Sequence, residues 1–167
     1  IKTLKKLISR TSGDNLSLLT FEASNPKGLG RIIRQTNSKV VGIVEEKDAS
    51  ASERKITEVN SGIMATSSKN LKGWLPKLKN NNAAKEYYLT DVVSCCHNEE
   101  KRITAINLGD SEELLGANDA QELQNLERIY QKELAKNFIE RGVKFADVNR
   151  VDFRGEINIG KNVFIDI

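Results

Sequence analysis

Apolar residues recur along the chain with two spacings, and each spacing predicts a type of secondary structure. Apolar side chains three and four residues apart share one face of a helix, whereas short apolar runs between turn residues favour strands. The pattern predicts helices at residues 1–10, 70–79, 89–96 and 119–141, a short helix from about residue 51, and strands at 16–21, 30–34, 40–45, 57–65 and 103–108.

Turn residues and capping residues mark the ends of these elements. Asn37-Ser38 separates two strands that we expect to form a hairpin. Ser50 and Glu53 have the spacing of a capping box, so the short helix should begin between them. Thr90 or Asp91 is expected to cap the helix at 89–96, and Pro76 is expected to distort the helix at 70–79.

The helix at 119–141 is the longest predicted element. Gly142 ends it. Its length suits a connector between domains. The apolar stripe expected to face inward consists of Leu123, Leu126, Tyr130, Leu134 and Phe138.

The pattern changes after this helix. Short β-prone pieces at 151–153, 157–160 and 163–165 follow one another at an interval of about six residues, which suggests the first coil of a left-handed parallel β-helix. Strands mixed with helices up to about residue 117, then a linking helix, then a repeat domain together predict an α/β protein.

Composition supports a packed protein with a weak electrostatic field. Hydrophobic residues make up 38% and charged residues 29% of 167 residues, and the net charge is +3 from 26 basic and 23 acidic residues. This charge requires neither nucleic acid nor a membrane surface, and no apolar run approaches the roughly 18 residues of a membrane span. We expect a cytoplasmic protein. The chain opens on Ile1 and closes at Ile167 within a regular pattern, so a fragment is expected.

The residues available for covalent or metal chemistry are few. Cys95 and Cys96 are adjacent, a spacing that fits neither a disulfide framework nor a zinc site, and His97 is the chain's single histidine. Nucleophilic catalysis is therefore not expected, and no catalytic residue is predicted in this segment. No P-loop, dinucleotide-binding glycine motif or pair of glycosidase acids is present in the sequence.

Four positions are candidates for ligand contacts because each lies where a regular element meets a loop. Gly30 could expose its backbone to a ligand or simply allow a turn. Glu45 could accept hydrogen bonds from sugar hydroxyls or be a solvated strand end. Asn60 can donate and accept, which suits a hydroxyl or an acetamido group. Asn118 could cap the long helix or face a ligand.

Several short blocks, taken in order, carry a resemblance to a known family. They are Asn25-Pro26-Lys27-Gly28-Leu29-Gly30-Arg31-Ile32, residues 42–49 (GIVEEKDA), 58–63 (EVNSGI), 80–83 (NNNA), 86–91 (EYYLTD) and 116–119 (GAND). The chain resembles the bacterial bifunctional N-acetylglucosamine-1-phosphate uridyltransferase / glucosamine-1-phosphate acetyltransferase family, and the similarity continues through 126–128 and 150–155.

The resemblance implies a fold, a domain division and an activity. Residues 1–118 would be the later part of a Rossmann-like uridyltransferase domain, 119–142 a linker helix, and 143–167 the start of the left-handed β-helix acetyltransferase domain. Uridyltransferases of this family form UDP-N-acetylglucosamine and pyrophosphate from UTP and N-acetylglucosamine-1-phosphate, with Mg²⁺. The acetyl-CoA and glucosamine-1-phosphate sites would lie beyond this segment, and the full-length parent would be a homotrimer.

The resemblance also implies roles for individual residues. Gly30, Glu45 and Asn60 match positions that bind the sugar of the product, and Tyr88 and Thr90 match residues that line the sugar pocket. Asn118 matches a residue that contacts Mg²⁺ and the nucleotide sugar. The family's glycine-rich nucleotide loop and metal-binding aspartate have no counterpart here, so the segment would hold the sugar-side half of the site and be inactive alone.

Two alternatives remain open from the sequence. The chain could belong to a uridyltransferase for another sugar phosphate, or it could be a non-catalytic sugar-nucleotide-binding or assembly fragment.

Overall fold

The computed structural model describes residues 2–109, 112–117 and 119–166. The chain divides into two compact units, residues 1–114 and 115–167. Among the described residues, none of the helices combines the length and the apolar character needed to cross a bilayer.

The first unit is a mixed α/β domain. Its helices are α1 (Lys2–Ser9), α2 (Ser68–Trp74) and α3 (Asp91–Asn98), and short 3₁₀ turns occur at Glu53–Lys55, Leu75–Lys77 and Glu112–Leu114. Its strands are β1 (Leu16–Glu22), β2 (Arg31–Arg34), β3 (Val40–Val44), β4 (Glu58–Thr66) and β5 (Ile103–Asn107). The strands form one sheet in the order β3-β2-β4-β1-β5, in which β1 and β5 are parallel and the other neighbours antiparallel.

Strand β1 is buried on both faces of this sheet. Leu16 and Leu18 pack with α2 and α3 in a cluster around Trp74, whereas Leu19 and Phe21 pack on the opposite face in a cluster that includes Leu7 of α1. The alternation follows from the two-residue period of a strand. The apolar run therefore specifies a central strand covered by helices on both sides.

The boundaries of the predicted elements are mostly confirmed. Helix α2 starts two residues early, α3 lies two residues later than predicted, and the short helix expected from about residue 51 is a 3₁₀ turn at Glu53–Lys55. The hairpin of β2 and β3 and the capping box are present, the latter with the Ser50 amide donating to Glu53 Oε2 at 2.8 Å. Helix α2 begins at Ser68 rather than 70 because the Ser67 hydroxyl accepts a hydrogen bond from the Asn70 amide at 3.2 Å. It gives way to a 3₁₀ turn that contains Pro76.

The second unit is built on one long helix. It comprises α4 (Ala120–Glu140), β6 (Lys144–Phe145) and β7 (Phe164–Ile165), and the two short strands pair in parallel. Of the three predicted β-prone pieces, 163–165 contains a strand, whereas 151–153 and 157–160 do not form one.

Two expectations for α4 are corrected by the structure. Asp119 is the N-cap, because its carboxylate accepts a hydrogen bond from the Glu122 amide at 2.8 Å; the capping role considered for Asn118 is therefore wrong. The predicted inward stripe is also wrong in its first half, since Leu123 is 62% and Tyr130 56% exposed. Within this unit the apolar cluster involves the later turns of α4, around Ala135 and Phe138.

Gln131 is a buried polar residue on α4 that the apolar pattern did not predict. Its side-chain oxygen accepts from the Phe153 amide at 2.6 Å, and its side-chain nitrogen donates to the Phe153 carbonyl at 3.0 Å. Because both backbone groups of Phe153 are satisfied by one side chain, the segment after β6 is held without a strand partner.

We expect Gln131→Leu to destabilise the second unit by about 1–3 kcal/mol, because the buried amide and carbonyl of Phe153 would lose their partner. Amide hydrogen exchange at Phe153, followed by NMR, should become faster. Gln124→Leu, at an exposed position on the same helix, is the matched control and should leave this amide unchanged. Equal protection of Phe153 in both variants would contradict the assigned bridge.

Candidate functional site

The structure brings together three of the predicted site residues, two at the ends of β2 and β3 and one within β4. Gly30 immediately precedes β2, Glu45 immediately follows β3, and Asn60 lies within β4. The Asn60 amide donates to the Gly30 carbonyl at 2.8 Å, which continues the pairing of β2 with β4. The pairing of β2 with β3 places Gly30 and Glu45 beside each other in space.

Gly30 allows the Glu45 carboxylate to lie against the backbone. A Cβ atom at Gly30 would lie 2.8 Å from Ile43 Cγ2 and 3.3 and 3.4 Å from the two Glu45 carboxylate oxygens. Contacts below 3.0 Å essentially never occur for real Cβ atoms. The glycine is therefore required for this close approach, and its role here is not that of a turn residue with a positive φ.

Thr90 also fixes the Glu45 carboxylate. Its hydroxyl donates to Glu45 Oε1 at 2.7 Å. Thr90 is the N-cap of α3, but its side chain makes no capping hydrogen bond. The predicted capping role of the Thr90 side chain is thus replaced by a contact with the site, which connects the start of α3 to the end of β3.

A cavity of about 350 Å³ adjoins Glu45. The lining residues come from the end of β3, the loop around residue 80 and the start of α3: Ile43, Val44, Glu45, Asp48, Lys79, Asn81, Asn82, Tyr88 and Asp91. Its polar wall includes three carboxylates, those of Glu45, Asp48 and Asp91, and ionised carboxylates only accept hydrogen bonds. The cavity therefore suits a ligand that presents several hydroxyl or N–H donors.

Burial and neighbouring charge act on two of the lining groups. Burial, together with a hydrogen bond to Asp48, raises the pKa of Tyr88. Burial, together with the negative charge of Asp48, raises the pKa of Asp91. Tyr88 therefore keeps its hydroxyl proton across the physiological pH range and donates it to Asp48, so that the N–H groups of Lys79, Asn81 and Asn82 are the donors that the wall can offer a ligand.

Asn60 contributes an unused acceptor near the site but does not line this cavity. Among the described residues, its buried Oδ1 has no hydrogen-bond partner, which is uncommon for buried polar atoms. Asn60 directly precedes a bulge in β4, where Gly62 has a φ of 78° and the Ser61 hydroxyl donates to the Leu19 carbonyl at 2.9 Å. Gly62 within a predicted strand was the sequence signal for this bulge.

Asn118, the predicted magnesium contact, lies outside the described residues. Within the part of the chain that the structure describes, no group of three His, Cys, Asp or Glu side chains could hold a metal ion. The Mg²⁺ prediction therefore stays a prediction that depends on Asn118 and on groups elsewhere.

Asp48 is a site residue that the sequence analysis did not single out. Its carboxylate accepts a hydrogen bond from the Ala83 amide at 2.8 Å, and it also faces Tyr88 and Asp91. In the same loop, Asn82 hydrogen-bonds both backbone groups of Glu86, at 2.5 and 3.1 Å. These contacts hold the loop that carries Tyr88, and only the tertiary structure reveals them.

Fold and geometry together define a mixed α/β domain with an acceptor-rich candidate binding site beside its sheet. The chain is 45% identical over its whole length to the "Bifunctional protein GlmU" of Legionella pneumophila subsp. pneumophila, and 46% identical to the proteins of that name from Nitrosococcus oceani and Nitrosospira multiformis. It spans 36–37% of the length of these relatives. Over this span the chain belongs to the GlmU family. No family model matches it.

The thiols are poorly suited to nucleophilic chemistry. Burial raises the pKa of Cys96 to about 11, and burial also raises the pKa of the half-buried Cys95. Since the thiolate is the reactive form, a raised pKa suppresses reaction near neutral pH.

We expect Gly30→Ala to destabilise the first unit by about 1–3 kcal/mol, because Ile43 and the Glu45 carboxylate would have to move. Gly73→Ala is the matched control, since among the described residues nothing lies within 4 Å of a Cβ there. Gly73 is the penultimate residue of α2, so this change should be neutral or stabilise by up to about 1 kcal/mol. Chemical denaturation followed by circular dichroism measures both. An unchanged free energy of unfolding in Gly30→Ala would show that the structure can accept a Cβ atom at this position.

We expect iodoacetamide to modify Cys95 before Cys96 in the folded protein. At pH 8 a thiol with a pKa near 11 has a thiolate fraction on the order of a thousandth. Peptide mass spectrometry after timed alkylation should show Cys96 unmodified at this pH, with the rate rising as pH approaches 11 and both thiols reacting in denaturant. Rapid labelling of Cys96 in the native state would contradict its burial.

Proposed function

We propose that this chain supplies the sugar-binding half of a uridyltransferase site that forms UDP-N-acetylglucosamine and pyrophosphate from UTP and N-acetylglucosamine-1-phosphate. The observation that carries the proposal is the convergence of Gly30, Glu45 and Thr90, with the Thr90 hydroxyl 2.7 Å from the Glu45 carboxylate. Family membership supports the same assignment.

Each residue has a stated role in holding the sugar. The Glu45 carboxylate accepts hydrogen bonds from sugar hydroxyls, and Thr90 fixes its orientation. The buried Asn60 oxygen, which has no partner among the described residues, accepts from the N–H of the acetamido group. Tyr88, whose hydroxyl proton is donated to Asp48, offers its hydroxyl oxygen to the ligand as an acceptor from the wall of the cavity. A hexose phosphate without the acetamido group would leave the Asn60 oxygen unpaired and so bind less tightly.

The reaction needs positioning rather than a covalent nucleophile. A phosphate oxygen of the sugar phosphate attacks the α-phosphorus of UTP, a new P–O bond forms, and the bond to the β-phosphate breaks as pyrophosphate leaves. Holding the sugar fixes the attacking oxygen in line, which converts a bimolecular step into an oriented one. Bound Mg²⁺ would neutralise phosphate charge. No role assigned to a described residue depends on it.

The proposal extends to the organisation of the longer protein. Residues 1–118 would be the later part of a Rossmann-like uridyltransferase domain, 119–142 a linker helix, and 143–167 the start of a left-handed β-helix. The acetyltransferase activity on glucosamine-1-phosphate with acetyl-CoA would belong to the rest of that β-helix, in a cytoplasmic homotrimer.

A chimera tests the proposal. This chain should replace the matching segment of the Nitrosococcus oceani relative, and pyrophosphate release from UTP and N-acetylglucosamine-1-phosphate should be measured with Mg²⁺ present. We expect activity in the chimera, none in the 167-residue chain alone, and at least about tenfold lower kcat/KM with glucose-1-phosphate.

The unaltered relative is the control for the assay, and circular dichroism is the control for folding of the chimera. A folded chimera that prefers glucose-1-phosphate would favour a uridyltransferase for another sugar phosphate. A folded chimera with no activity on either sugar would favour a non-catalytic binding or assembly role. Activity in the isolated chain would contradict the assignment of a half-site.

A further inference from the structure

Arg31 is a buried cation with no role in the proposed sugar contacts. It is 1% exposed at the start of β2. Its guanidinium donates to the Leu29 carbonyl and forms an ion pair with Glu46 Oε2 at 2.5 Å. Among the described residues its buried Nε has no partner. The guanidinium is thus removed from water with its hydrogen bonds only partly satisfied.

Stability alone does not account for an arginine at this position. Moving a charged group out of water costs several kcal/mol, and the attraction to a single carboxylate recovers this only with excellent geometry and full hydrogen bonding. Replacing a buried ion pair by apolar side chains of similar volume is often neutral or stabilising. The buried guanidinium is therefore better explained by the two segments that it joins.

The two partners of Arg31 are the immediate neighbours of two site residues. Leu29 precedes Gly30, and Glu46 follows Glu45. The side chain of Arg31 thus bridges the loop that ends at Gly30 and the turn that begins at Glu45. Residues 29–30 and 45–46 both lie beyond Arg31–Val44, the last pair of β2 with β3. Gly30 is still bonded to β4 through its carbonyl, but the pairing of β2 with β3 does not fix the distance between the two segments.

The bridge by Arg31 keeps a short distance between Gly30 and the Glu45 carboxylate. The Glu45 carboxylate lies so close to Gly30 that a single added carbon would meet both carboxylate oxygens at 3.3–3.4 Å. A shift of the 45–46 turn away from the 29–30 loop would move this carboxylate and stretch its 2.7 Å hydrogen bond to Thr90. Misplacement of a positioning group by about 1 Å can cost on the order of 100-fold in rate.

We infer that Arg31 is a positioning residue for the sugar subsite: its guanidinium ties Leu29 to Glu46 and thereby sets the place of the Glu45 carboxylate. This inference rests on the proposed function. A change at Arg31 should therefore alter binding of the sugar phosphate selectively, because Arg31 acts through Glu45 and is assigned no contact with the nucleotide.

The test uses Arg31→Met in the chimera, where the methionine fills part of the space without donors. We expect the KM for N-acetylglucosamine-1-phosphate to rise about 10–100-fold and the KM for UTP to change less than about twofold. The melting temperature should fall only modestly, because Glu46, the partner left behind, is 30% exposed and can be hydrated. Arg31→Lys keeps the charge but has fewer donors in a different geometry, so it should recover only part of the loss.

Arg34→Met is the matched control on the same strand. Arg34 pairs with Glu58 at 2.7 Å and donates to the Ser38 carbonyl, so its removal should leave both KM values unchanged. Glu46→Gln is a second variant that weakens the same bridge with little change in shape. It should raise the KM for the sugar phosphate in the same direction, which keeps the test decisive if Arg31→Met does not fold.

The outcomes separate this inference from the proposed function. No product from the folded, unaltered chimera overturns both. Product from the unaltered chimera with an unchanged sugar KM in Arg31→Met and Glu46→Gln overturns the inference alone. Equal increases in the KM for the sugar phosphate and the KM for UTP, with a much lower melting temperature, would show a general structural role for Arg31. That result would also overturn the inference.

Discussion

The burial of β1 on both faces is the constraint on which the first unit depends. Its side chains alternate between a cluster under α2 and α3 and a cluster under α1, so one strand organises both halves of the core. It also pairs with β4 on one side and β5 on the other. Because β4 in turn pairs with β2, the position of β1 determines where the hairpin and its loops can lie.

The candidate site lies where this regular pairing ends. Gly30, Glu45 and Thr90 belong to loop or capping positions. The hairpin of β2 and β3 brings Gly30 beside Glu45, and one side-chain hydrogen bond adds Thr90 to them. Loops positioned by a rigid scaffold commonly carry ligand contacts because they can vary without disturbing the core. Here the central strands β1 and β4 form the scaffold, and the polar site residues lie at the ends of neighbouring strands and at the start of α3.

Local sequence signals predicted much of the fold and some of the site. The run Leu16–Phe21 predicted β1 because a central strand needs apolar residues on both faces, and Ser50 with Glu53 predicted their own reciprocal contact. The apolar stripe of α4 was wrong in its first turns, since periodicity does not show which part of a helix the rest of its unit covers. Asp119 rather than Asn118 caps that helix, and adjacent residues with similar capping preference cannot be separated by type alone.

The contacts that hold the site could not be read from the sequence. The ties of Asp48 to Ala83 and of Arg31 to Glu46 join segments far apart in the chain, and each partner is an ordinary charged or small residue by composition. Gly30 and Glu45 were proposed individually. That the glycine is needed to admit the glutamate depends on interatomic distances of a few tenths of an ångström.

Gln131 has a consequence for how the segment after β6 is encoded. A side-chain amide on α4 there replaces the neighbouring strand that would normally pair with the backbone of Phe153. The backbone position of this segment therefore depends on a helix residue that lies 22 positions earlier in the sequence. Because Gln131 takes both backbone groups of Phe153, the aromatic ring of Phe153 can lie in the apolar cluster, stacked on Phe138 and edge-on to Phe145, without leaving a buried peptide group unpaired.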